Sequence, residues 1–537
     1  MTSLPRKYPI GVQSFQALRT EDFIYIDKTA YIEPLVRGHV FFLSRPRRFG
    51  KSLFLSTLAA YFRGEKELFK GLAIEEAETR MAAAEGREPW LEYPVLYIDL
   101  NINTYDAPEV LNIRLSSNLG ELEERYGVPN LVDKIPAERF AALIQNVYQK
   151  TGRKVVVLVD EYDKPLLHTL SKGKRDLHEQ YRKILAGFYV VLKSLDEYVR
   201  FAFFTGVTKF SKLSVFSGLN NLEDISLDPA YAGLCGITEA ELLATFSEDI
   251  DALASTLGYT RAHLLAFLKS EYDGYCFSVN NVRVYNPFNL LNVLKKRFLG
   301  SFWFATGTPT FLVEKLRDLR YDYKSLDSDV LVTLSDLENP HELIDDPIQV
   351  LYQAGYLTIK SFNPERRRFT LGFPNNEVRY CFLNLLLRAL LPAEINPTIK
   401  ETDLFLDDIE RDNVEGFMGK IHALLSALPY PTDAKVDTAE WTYQSLFYLL
   451  FRLMGQHVRT EEHSIRGRAD FVLETATTVY IFEFKLWSAG TPEEAIAQIR
   501  QQGYAEPYRG GAKPVRLIGV SFDTAQRNIG EWREEAL

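Results

Sequence analysis

Residues 41–62, FFLSRPRRFGKSLFLSTLAAYF, constrain the fold more than any other stretch. An apolar run ends in a basic turn. Gly50-Lys51-Ser52 then open an amphipathic helix whose apolar residues (Leu53, Leu55, Leu58, Tyr61, Phe62) recur near helical spacing. In such a turn the backbone N–H groups point inward, and the helix adds its positive N-terminal end. This predicts a phosphate-binding loop, with Lys51 on the β- and γ-phosphates and the Ser52 hydroxyl in a Mg²⁺ shell. The usual pattern, G-x-x-x-x-G-K-[ST], has glycine where this chain has Arg45. Arg45 lacks glycine's backbone freedom, and Pro46 biases it toward extended angles. A basic turn capping a helix would carry the same triplet, so a second element has to decide.

That element is VVVLVDEYD at 155–163, five apolar residues followed by two acids. It reads as a buried strand ending in Asp160, placed to hold the water shell of Mg²⁺, with Glu161 beside it to polarise an attacking water. A third run, FAFFTG, ends in Thr205-Gly206 and offers a polar sensor near the γ-phosphate. Loop, acids and sensor follow in the order an ATP- or GTP-binding domain requires. HVFFLS, PVLYIDL, KVVVLVDEY and VRFAFFTGV alternate with helical stretches, as buried strands of a parallel α/β sheet do.

A chain of 537 residues exceeds one core and suggests about three domains. The texture divides it accordingly. A parallel-sheet nucleotide domain is expected over 1–230 and a mainly helical region over 231–395. A final α/β unit follows over 396–537, after the LPAEINPT break. In the middle region LYQAGYLTIKSF and RRRFTLGF read as a helix and a strand pair, a winged-helix-like arrangement with Arg366, Arg367 and Arg368 at the wing tip. Those arginines suit either a phosphate contact or solvent. The net charge of −10 argues against a whole-chain nucleic-acid coat, although a local basic groove is compatible with it. Three widely spaced cysteines, no apolar leader and no run of about 20 apolar residues point to a reduced, cytoplasmic protein without a membrane span.

The last unit carries IRGRADFVLETATTVYIFEFKLW, read as strands over 468–474 and 479–486. Glu483 and Lys485 share one face of the second strand, while Phe482, Phe484 and Leu486 take the other. Asp470 lies near the start of the first, where a hairpin can bring it close to Glu483. Two carboxylates holding Mg²⁺ or Mn²⁺, with a lysine beside them, suit metal-dependent phosphodiester hydrolysis. An exposed cross-strand Glu/Lys pair would read the same way over E-F-K alone.

YIDKTAYI, RPRRFGKS, VDEYDKPL and TGVTKFSKLSVFSGLNNLEDIS resemble the bacterial AAA-ATPase-like proteins that carry a C-terminal nuclease-type domain. These are similar to STAND-related, archaeal-type P-loop ATPases. The resemblance covers nearly the whole chain and makes RPRRFGKS the ordinary form of the loop. It implies nucleotide contacts at Arg45, Arg48, Gly50, Lys51 and Ser52, with Asp160 on Mg²⁺, Glu161 as base and Thr205 as sensor. Arg47 and Arg48 remain open as phosphate clamps or exposed basic residues. Asp163, Lys164, Lys209 and Lys212 are read as solvated loop charges in preference to contacts with polyphosphate or a neighbouring subunit.

EYDGYCFSVNNVRVYNPFNLLNVL and FWFATGTPTFLVEKL match the same family, and their tyrosines and Asn286-Pro287 are expected to serve turns and packing. The C-terminal unit resembles the PD-(D/E)XK nuclease superfamily, a restriction-endonuclease-like fold, through Asp470, Glu483 and Lys485. Glu440 is a further candidate ligand. That resemblance implies nucleic-acid contacts at Gln498 and Tyr504, although their spacing departs from Q-x-x-x-Y.

The implied function is ATP binding and hydrolysis coupled to a nuclease acting on DNA or RNA, in defence or mobile-element biology, with assembly of several copies allowed. The alternative is a STAND-like switch whose nuclease-like domain only binds nucleic acid or protein.

Overall fold

In the computed structural model, four short apolar runs and a three-residue edge strand form one parallel sheet: β1 (Val40–Ser44), β2 (Val95–Asp99), β3 (Val155–Asp160), β4 (Val199–Gly206) and β5 (Leu222–Asp224). Their order is β2-β3-β4-β1-β5, and every pairing is parallel. β1 and β3 are buried along their whole length, which is why they read as unbroken apolar runs rather than alternating ones. The C-terminal ends of β1, β3 and β4 therefore lie side by side. Open α/β sheets bind ligands at this edge.

The structure describes residues 6–101, 104–170, 174–209, 215–216, 218–303, 310–326, 330–338, 347–391, 405, 407–426, 445–446, 448–450, 452–453, 458–459, 463–464, 467–468, 471–486, 490–523 and 528–537. Lys212, Glu440 and Asp470 lie outside them.

Compactness divides the chain into two units, 1–312 with 329–379, and 313–328 with 380–537. The boundary expected near 230 falls inside the first. That unit adds a small hairpin, β6 (Tyr275–Cys276) with β7 (Arg283–Val284). It also adds a three-stranded antiparallel sheet of β8 (Val330–Thr333), β9 (Thr358–Asn363) and β10 (Arg368–Gly372), in the order β8-β10-β9. The helix Pro347–Ala354 leads into β9, as the helix-then-hairpin pattern predicts.

In the second unit β11 (Val458–Arg459) is followed by the short pair β12 (His463–Ser464) and β13 (Gly467–Arg468). β14 (Phe471–Glu474), β15 (Val479–Leu486), β16 (Val515–Asp523) and β17 (Asn528–Ala536) complete a sheet ordered β11-β14-β15-β16-β17. β15 and β16 run parallel because the helix Pro492–Gln501 connects them. That helix starts with a capping box between Thr491 and Glu494. Its first turn lies against β16 at Gly519, where a Cβ would stand 2.0 Å from the Pro492 carbonyl oxygen. Among the described residues no helix is long and apolar enough to cross a membrane.

Candidate functional site

β1 ends at Ser44, and the loop 45–50 turns into the helix Lys51–Phe62. Gly50 has φ +95°, a conformation that favours glycine. Arg48, at φ +69°, adopts left-handed geometry without that freedom, and so does Glu161 at φ +52°. Such strain persists only where surrounding structure enforces it, and it clusters at ligand sites. The two strained residues face one cavity of about 770 Å³, together with Gly50, Lys51 and Ser52.

The Lys51 ammonium donates to the carbonyl oxygens of Arg45 (3.0 Å) and Pro46 (3.2 Å) and lies 3.8 Å from the Glu161 carboxylate. Asp160 stands behind Glu161. Its Oδ1 accepts from the Thr205 hydroxyl at 2.6 Å, and Tyr97 donates to Oδ2 at 3.3 Å. Burial and the Glu161 charge push the Asp160 carboxyl up, against hydrogen bonds from Thr205 and Ser52. Thr205 is fully buried and reaches the site through Asp160, not as a lining group.

Arg45, expected on the nucleotide, points away from the cavity into the protein interior. Its side chain is 1% exposed and does not line the cavity. The guanidinium lies over the Phe277 ring at 4.5 Å and donates to the carbonyl oxygens of Ser44 (2.9 Å) and Ser226 (2.7 Å). It fastens the loop from below, and burial lowers its pKa. Nothing near residue 45 in the sequence announces a ring so far downstream.

Other middle-region groups hold the same loop. Trp303 donates its indole N–H to the Arg47 carbonyl (3.2 Å), and the Gly236 N–H donates to the Phe49 carbonyl (3.1 Å). Phe49 packs edge-on against Tyr275 and Phe277. Gly355, at φ +88°, passes Pro46 so closely that a Cβ would lie 2.8 Å from the proline ring. Trp303 is itself fixed: its backbone N–H donates to Asn289 Oδ1 at 2.6 Å, and Asn289 donates to Glu377. Burial pushes the Glu377 carboxyl up to about 8. The middle-region tyrosines and Asn286-Pro287 do serve packing and a helix start, and much of that packing supports the phosphate loop.

Two expected solvated charges are buried instead. Asp163 Oδ2 accepts from the backbone N–H groups of Val207 (3.0 Å) and Thr208 (2.6 Å) and from the Thr208 hydroxyl (2.6 Å), clamping the acidic turn to the end of β4. Burial raises its carboxyl to about 6. Lys209 is buried 3.0 Å from Asp224.

In the second unit Glu483 is 3% exposed and pairs in register with Gly519. The absent side chain at Gly519 lets the helix Pro492–Gln501 approach and deliver Gln498. Gln498 bridges the site, donating to Glu483 and accepting from the Lys485 ammonium, which lies 3.9 Å from Glu483. Phe482, on the opposite face, packs on Phe417. β14 begins at Phe471, paired with Phe482, one residue beyond Asp470. Tyr504 is not at this face. It is 6% exposed in a core with Val472, Ile481 and Ile499, because Gly503 turns the chain back under the helix at φ +67°.

The first unit is thus a P-loop ATPase-like fold, and the second a restriction-endonuclease-like one. Family models agree: residues 9–216 match "Predicted AAA-ATPase" and residues 438–532 match "PD-(D/E)XK nuclease superfamily". A protein of Azotobacter chroococcum mcd 1, described as "Uncharacterized protein in vnfD 5'region", is 35% identical over 540 residues, 99% of each chain. The chain belongs to this family of predicted AAA-ATPases with a PD-(D/E)XK nuclease superfamily domain. Two solved structures from Aeropyrum pernix are distantly similar. The ORC2 protein (ADPNP-ADP complexes) has a TM-score of 0.25 and 13% identity, covering 72% of this chain and 96% of that one. The ORC1 protein in complex with DNA has a TM-score of 0.23 and 12% identity, covering 67% and 91%.

Proposed function

We propose that the first unit binds and hydrolyses ATP, and that this cycle governs a metal-dependent phosphodiesterase in the second, acting on DNA or RNA. The observation that carries the reading is the convergence of Lys51, Ser52 and the strained Glu161 on one cavity, with Asp160 held behind them. The Ser52 hydroxyl and Asp160 carboxylate are oxygen donors of the kind Mg²⁺ takes. A divalent ion there neutralises phosphate charge. Lys51 would exchange its carbonyl partners for phosphate oxygens, and Glu161 would accept a proton from the attacking water.

In the second unit Glu483, together with Asp470, is the proposed ligand pair for Mg²⁺ or Mn²⁺. Lys485, oriented by Gln498, would stabilise charge on the phosphoryl group. The three-stranded sheet with its 347–354 helix is assigned as winged-helix-like.

The test is a panel of single-stranded DNA, duplex DNA and RNA, with Mg²⁺ or Mn²⁺, with and without ATP. Wild type should cleave at least one substrate, and Lys485→Ala should lower that rate by ~10²-fold or more. If wild type and variant are equally inert on every substrate, the nuclease assignment is lost. Lys51→Ala should abolish ATP binding, and undiminished affinity would remove the loop assignment.

A further inference from the structure

Five Lys and Arg residues line the first unit's cavity (Lys28, Arg47, Arg48, Lys51 and Lys164), with His168, against one acid, Glu161. Three already have partners. Lys28 pairs with Glu241 at 2.6 Å, Lys51 holds the loop carbonyls, and the Arg48 guanidinium lies on the Phe288 ring at 4.2 Å. Among the described residues, neither Arg47 nor Lys164 pairs with a carboxylate. Lys164 is half-buried one turn beyond Glu161, and its backbone N–H donates to the Glu161 carbonyl at 3.0 Å. Desolvation and the nearby Arg47 charge lower its pKa, against Glu161, Asp163 and Asp99. Burial lowers the neighbouring His168 as well, and the charges of Lys164, Lys174 and Arg47 add to it while Asp106 opposes. Lys164 is thus a partly desolvated cation on the cavity wall, with the charge of the exposed Arg47 acting on it, and an anion joining them would offset both charges.

We propose that Lys164 and Arg47 bind the terminal phosphate of a nucleoside triphosphate from within the same chain, distinguishing tri- from diphosphate without a cation from a second copy. This rests on the reading of the cavity as an ATP site. Lys51 and Ser52 approach the β/γ bridge from the loop. Glu161 would activate the attacking water, and Lys164, one turn on, lines the same cavity. Charge accumulating on the γ-phosphoryl oxygens would meet a cation fixed by the acidic turn itself, together with the loop's own Arg47. The exposed half of Lys164 and the exposed Arg47 leave room for the phosphate to enter.

The test uses full-length wild type, Lys164→Gln, Lys164→Arg and Arg47→Gln, with affinities for ATP and ADP measured separately. Removing either charge should weaken ATP about tenfold, with ADP held within about twofold. Lys164→Arg should recover most of the loss, and retained ADP binding shows each variant is folded. Equal losses for both nucleotides, or none, would overturn the proposal while leaving the ATP site standing. Failure of wild type to bind either nucleotide would remove the underlying reading and the proposal with it. Mixing Lys164→Gln with Lys51→Ala separates same-chain from partner supply: hydrolysis should stay at the level of the variants alone. Recovery on mixing would contradict supply from within the chain.

Discussion

The phosphate loop is held by residues drawn from across the first unit, whereas the Glu483–Lys485 face needs one strand and the helix that crosses over it. Residues 45–50 are fastened by Gly206, Ser226, Gly236, Phe277, Trp303 and Gly355, which are distant in sequence from the loop and from one another. Glu483 and Lys485 are two residues apart, and their bridge, Gln498, is on the next helix. The first site is therefore sensitive to changes throughout its unit. The second depends on a single close approach between helix and sheet.

That contrast can be broken most severely at Gly519. Gly519→Ala places a Cβ 2.0 Å from the Pro492 carbonyl oxygen, a backbone atom that cannot swing aside. The overpacking should cost ~3 kcal/mol or more of second-unit stability. Cleavage should be lost while ATP affinity stays near wild type, and a nucleotide titration alongside the nuclease assay checks both. If ATP binding falls equally, the second site is not locally built.

A smaller effect is expected at Trp303. Trp303→Phe keeps the ring but removes the donor to the Arg47 carbonyl. Loss of one such bond should weaken ATP by about two- to tenfold and leave ATP-independent cleavage unaltered. Unchanged ATP affinity would show that the indole fills space and does not hold the loop.

The smallest effect is expected at Tyr504, whose ring lies in the apolar core. Tyr504→Phe should keep substrate KM and kcat within about twofold, since only a hydroxyl is removed. A large rise in KM alone would return this residue to the substrate face.

The same contrast explains what could be read from the chain alone. β1, β3 and β4, Gly50, Lys51, Ser52 and the acids at 160 and 161 were legible because strand, turn and helix are local patterns with fixed periods. Glu483 and Lys485 were legible as one face because alternation along a strand brings them together, whereas Gln498 came from the family resemblance as a nucleic-acid contact and its bridge between them depends on the helical crossover. Arg45 was not. Its basic charge in a phosphate loop points to a ligand, while its stacking on Phe277 depends on tertiary structure that no local pattern encodes. Asp163 and Lys209 looked solvated because their partners, Thr208 and Asp224, become neighbours only when β4 and β5 join the sheet. Tyr504 was drawn to the substrate by its nearness to Gln498, and the turn at Gly503 sends it into the core. The support of the loop by Trp303, Phe277 and Gly355 was likewise beyond local pattern, although the strings around them stood out as specific.

Whether the nucleotide site governs the second unit is decided by cleavage rates of wild type and Lys51→Ala with and without ATP. ATP should change the wild-type rate several-fold, Lys51→Ala should cleave at one rate regardless of ATP, and Lys485→Ala should be inactive in both conditions. Wild type and Lys51→Ala cleaving at the same rate, each indifferent to ATP, would rule out control of the second unit by the nucleotide site.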